Sequence, residues 1–109
     1  MSEFEGANWY RGEQSLNAIP TGSIFLVIDK ECYWSKKKAP SFIKFTNSLK
    51  KQAPEIRSFM IDFDKWQFPD IAGFPTLLVK TKSHFVKVEP SQNFTRDLAN
   101  ALKIALQNK

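Results

Sequence analysis

The sequence predicts an α/β domain with a mixed sheet, and three observations carry that expectation. Residues 23–28 and 58–62 are β-branched and aromatic runs, and between them apolar residues recur at helical spacing, which is the pattern of a βαβ unit. Residues 76–80 and 84–88 are two more apolar runs, separated by three residues and so close enough for an antiparallel hairpin. A final amphipathic stretch closes the order, giving βαβ and then ββα within 109 residues, a length for one domain rather than two. A chain of this size buries roughly two thirds of its unfolded surface around one core.

Each element has its own local cause. Residues 1–22 are polar and mixed, an N-terminal extension or first-helix region, with a short helix expected around residues 13–18 and stopped by Pro20. Thr21-Gly22 reads as a turn, and Ser-Ile-Phe-Leu-Val-Ile at 23–28 as a central strand covered on both faces. Phe42, Phe45 and Leu49 then form the apolar stripe of a helix that begins just after Cys32 and ends before Pro54, with Pro40 as a kink. After the strand at 58–62, the polar and aromatic stretch 63–72 has room for at most a short helix before Gly73-Phe74-Pro75. In the last helix Leu98, Ala101, Leu102, Ala105 and Leu106 share a face; Asn93 or Thr95 caps its start, and Lys103 and Lys109 lie toward its end.

Composition excludes several functions. With 42% hydrophobic and 25% charged residues the chain reads as an ordinary globule, and no apolar run approaches a membrane span or a signal core. Cys32 is the only cysteine, so no internal disulfide can form, and a cytoplasmic protein is expected. The net charge of +5 would suit an anionic partner, but the lysines are dispersed rather than gathered into a nucleic-acid face. His84 stands alone, so no metal site is expected, and Asp62, Asp64 and Asp70 read as capping or solvated carboxylates.

The segment Cys32-Tyr33-Trp34-Ser35-Lys36-Lys37-Lys38-Ala39-Pro40, followed by Gly73-Phe74-Pro75-Thr76-Leu77-Leu78, resembles the thioredoxin superfamily. That family places Cys-x-x-Cys between a strand and a helix, and a cis-proline against it. The Gly-Phe-Pro-Thr wording leans toward the disulfide-isomerase branch. The resemblance covers residues 23 to the C-terminus and implies a thioredoxin-like fold, a central mixed sheet flanked by helices. It implies Cys32 as a redox nucleophile, with Phe74 and Pro75 shaping the groove for protein thiol or disulfide substrates, in a monomer without a bound cofactor. A helix N-terminus favours the thiolate over the thiol, and Lys36, one turn on, would add to that while Glu31 would oppose it.

The chain also departs from the family. Ser35 stands where a second cysteine would resolve the mixed disulfide, so release requires glutathione as co-substrate, a substrate thiol or a second protein. A natural monothiol enzyme, a dithiol protein whose second cysteine has been replaced, and a redox-inactive interaction module or accessory subunit all fit that residue. Leu26 replaces the family's buried aspartate, and Tyr33-Trp34 its Gly-Pro, giving an aromatic tip suited either to peptide docking or to packing on the domain. Monothiol glutaredoxins share Cys-x-x-Ser, but their glutathione-binding residues are not recognisable here.

Overall fold

The computed structural model describes residues 2–12, 15, 18–68, 70–82 and 84–108. The helix expected around residues 13–18 falls largely outside the described residues. Along the chain run β1 (Ile24–Ile28), α1 (Tyr33–Gln52), β2 (Ser58–Asp62), β3 (Thr76–Lys80), β4 (Phe85–Lys87) and α2 (Phe94–Asn108). The four strands form one mixed sheet in the order β2-β1-β3-β4. β1 pairs parallel with β2 and antiparallel with β3, and β3 pairs antiparallel with β4, so Leu26 sits between Met60 and Leu77.

β1 is central because all five of its residues are apolar and can be buried on both faces. Ile24, Leu26 and Ile28 join Phe42 and Leu49 of α1 and Leu98, Ala101 and Ala105 of α2 in one core. Phe25 and Val27 point the opposite way, into a second core with Tyr10, Ile19, Ile61, Phe68 and Leu78. The period-two alternation of a strand thus divides one apolar run between two layers.

Among the described residues the helices flank the sheet on the Leu26 side, where α1 and α2 both pack. The other face is closed by rings. Tyr10 meets Phe59, Phe59 stacks on Phe25 at 5.6 Å, Phe25 meets Phe85 edge-on at 5.4 Å, and Phe85 meets Phe68 at 5.2 Å. Bulky aromatic side chains each bury a large area and so cover much of a sheet face. The described residues of the stretch 63–72 hold turns: the Asp62 carbonyl accepts both Lys65 and Trp66 N–H, and Asp70 adopts a φ of 64°.

The N-terminal segment seals the outer edge of β2. Tyr10 N–H donates to the Met60 carbonyl at 2.9 Å, Met60 N–H donates to the Asn8 carbonyl at 2.8 Å, and the Asn8 amide donates to the Ser58 carbonyl at 2.8 Å. An otherwise open strand edge is covered in this way. α1 runs through Pro40, whose exposed position spares the core the cost of its missing N–H, and Lys50 and Lys51 in its last turn suit the negative end of the dipole. Leu106, expected on the buried face of α2, is 47% exposed instead.

Candidate functional site at the start of α1

The loop from β1 to α1 is tied down residue by residue. Asp29 Oδ1 accepts Glu31 N–H at 2.9 Å, and the Asp29 carbonyl accepts Cys32 N–H at 2.9 Å. Ser35 is fully buried, and its Oγ accepts the Asp29 N–H at 3.2 Å. Its hydroxyl therefore fastens the loop that carries the cysteine, one helical turn before it.

Cys32 is the N-cap residue of α1, with extended backbone and no capping bond from its side chain. The unpaired N–H groups of the first turn begin directly after it, and no acidic residue occupies that turn. The half-buried sulfur lies instead 3.7 Å from the carbonyl oxygen of Phe74. The Phe74–Pro75 peptide bond is cis, and Thr76 Oγ1 donates to the Gly73 carbonyl at 2.6 Å, closing the turn that leads into β3. Phe74 is held from behind by Phe63, ring to ring at 5.1 Å.

Tyr33 and Trp34 are 63% and 53% exposed, so the aromatic tip projects from the domain rather than packing on it. The two rings meet edge-on at 5.1 Å, and the Lys37 ammonium sits 3.4 Å from the Tyr33 hydroxyl. Lys36 is half-buried one turn beyond Cys32, and among the described residues no hydrogen bond or ion pair joins its ammonium to the site. Glu31, the residue before Cys32, is exposed. The structure thus brings Cys32, Trp34, Ser35, Phe74 and Pro75 to one end of the sheet, with Lys36 one turn further along α1.

Beside this loop a cavity of about 580 Å³ opens between Trp34, the Phe74-Pro75 turn, Val88 and Phe94, with Leu26 as its floor. Asp97 borders it and is 3% exposed; its one sequence signal is that of an acid in the first turn of a helix. His84 is exposed at the start of the hairpin strand, and Asp62 lies 3.7 Å from Lys30, far in role from an acid–base pair. Among the described residues no group of three or more His, Cys, Asp or Glu could hold a metal ion. No helix among them is long and apolar enough to cross a membrane. No family model matches the chain, and no curated protein matches it.

Proposed function

We propose that this chain is a thioredoxin-like domain in which Cys32 is the nucleophile of thiol–disulfide exchange. The observation that carries the reading is the cysteine sulfur at the N-terminus of α1, facing the Phe74 carbonyl across the turn into β3. A thiolate there attacks one sulfur of a substrate disulfide, the sulfur–sulfur bond breaks, and the other substrate sulfur leaves as a thiolate. Cys32 is then held in a mixed disulfide. Attack by another thiol of the substrate restores the Cys32 thiolate and leaves a rearranged disulfide with no net change in oxidation state. Attack by glutathione instead leaves the substrate as its glutathione mixed disulfide. Ser35 takes no part in either exchange and serves to hold the loop. A reducing, cytosolic setting suits a domain with one unpaired thiol.

The deciding measurement is the rate of Cys32 alkylation by iodoacetamide at neutral pH, native against urea-unfolded. An activated, accessible thiolate reacts about tenfold faster in the native protein. Native reaction slower than unfolded would remove the thiol reading. The exposed Tyr33 and Trp34 support a second reading, an interaction module that uses the same end of the domain without turnover. In that case Cys32→Ala leaves function intact and Trp34→Ala destroys it.

A further inference from the structure

The cavity beside the Cys32 loop is lopsided in charge. Its charged lining residues are Lys38, Lys87 and Asp97. Asp97 is already committed: both carboxylate oxygens accept the Ser91 N–H at 3.1 Å, and Oδ1 also accepts the Ser91 hydroxyl at 2.7 Å. Neither lysine has a carboxylate within ion-pair distance among the described residues. The Lys38 ammonium is held between two rings, 5.9 Å from the centre of Trp34 and 5.4 Å from that of Phe94, which positions the charge without neutralising it. Lys87 ends β4 and is exposed. The remaining wall is mostly apolar, with Thr76, Ser91 and Gln92 as its uncharged polar members, and the volume of about 580 Å³ lies in the range that encloses small ligands or peptide side chains.

We infer that this cavity receives an extended segment of a partner protein in which an apolar side chain is flanked by aspartate or glutamate. The apolar side chain packs against Trp34, Pro75 and Phe94, and the carboxylate meets Lys38 or Lys87. A basic segment would place like charges against two unneutralised ammonium groups. Nucleic acid fits less well, because tracking a strand asks for a row of cations along a groove and the cavity has two. The inference rests on the reading of this end of the domain as substrate-facing, and names its substrates as proteins whose reactive cysteine lies in an acidic, apolar stretch.

The test titrates isotope-labelled protein with the acetylated, amidated peptide Gly-Leu-Glu-Phe-Asp-Gly, followed by NMR, against its neutral counterpart Gly-Leu-Gln-Phe-Asn-Gly. The acidic peptide is expected to shift the signals of Lys38, Val88 and Phe94 and to bind about fivefold more tightly at low salt. That ratio falls to about one in the Lys38→Met/Lys87→Met variant and narrows as salt is raised. Equal binding of the two peptides, no shifts with either, or tighter binding of an oligothymidylate overturns the inference. Neither peptide contains cysteine, so the two readings fail separately. Rapid Cys32 alkylation without peptide discrimination defeats the acidic-segment inference alone, and discrimination with an inert Cys32 defeats the thiol reading alone.

Discussion

The Cys32 sulfur and the Phe74 carbonyl oxygen, 42 positions apart in the chain, stand 3.7 Å from one another. The antiparallel pairing of β1 with β3 produces this meeting, because Val27 near the end of β1 lies opposite Thr76 at the start of β3. The loop leaving β1 and the turn entering β3 are therefore brought to the same edge of the sheet. The sulfur thus lies between the Phe74-Pro75 turn and the exposed Tyr33-Trp34 start of α1.

Replacing the nucleophile separates chemistry from fold. Cys32 is half-buried and its side chain makes one weak contact, so Cys32→Ala should change stability by no more than about 0.5 kcal/mol. Disulfide rearrangement in a scrambled substrate protein should fall to the uncatalysed rate. Full rearrangement activity in the alanine variant would sink the thiol reading.

Ser35→Cys asks whether the helix can support a dithiol cycle. The side chain is fully buried and its oxygen accepts the Asp29 N–H, so exchanging oxygen for a weakly accepting sulfur should cost about 0.5–1.5 kcal/mol. The second thiol can then attack the mixed disulfide at Cys32 and release substrate without an external thiol. Turnover of a protein disulfide with a dithiol reductant is expected to appear. A variant that folds with its two cysteines and shows no turnover would count against the altered-dithiol account of Ser35.

Trp34→Ala probes the tip. With the ring 53% exposed, stability should hold within about 0.5 kcal/mol in urea unfolding. Capture of a peptide disulfide by Cys32 should slow about tenfold, the scale of losing one aromatic anchor from a binding surface. Unchanged capture kinetics would reassign the tip to a role unrelated to substrate.

Asp97→Ala loosens the wall of the cavity. Three hydrogen bonds from Ser91 end on this carboxylate, and Asp97 sits in the first turn of α2, where a negative charge is favoured. Their loss should cost about 1–3 kcal/mol, measured by urea unfolding. Amide exchange at Ser91 should accelerate. Unchanged Ser91 protection would mean that the loop is held by other contacts.

The parts legible in the sequence are those with a strong local period. The helix expected between Cys32 and Pro54 occupies Tyr33–Gln52, and the runs at 58–62 and 76–80 are strands with those bounds. The hairpin strand expected over 84–88 is only Phe85–Lys87, since an edge strand with one partner has few pairings to extend it. Leu106 misled for a geometric reason. At about 100° per residue it lies about 80° around the helix from Leu98, outside the arc that Leu98, Ala101 and Ala105 bury. Asn93, one of two candidate caps, takes the role: its Oδ1 accepts Arg96 N–H at 3.2 Å. The seal of residues 8–10 on β2 had no sequence signal, because one bridge has no periodicity, and the ring contacts of the second core join residues too far apart in the chain to show as a pattern.

The buried Tyr10 makes stability depend on alkaline pH. Its ring, 8% exposed, packs edge-on against Trp66 at 5.2 Å, and burial raises its phenol above the ordinary value of 10.0. The folded chain therefore keeps this proton at a pH where the unfolded chain has released it. With fewer protons bound in the unfolded state, stability falls as pH rises. The contribution is fully present below the unfolded value and is lost as pH climbs from there through the higher folded one. The comparison is with Tyr10→Phe, which keeps the ring and removes this ionisation alone. Between about pH 8 and pH 11 the urea midpoint should drop further in the native sequence than in Tyr10→Phe. Equal drops would show that Tyr10 ionises as readily in the folded chain as in the unfolded one.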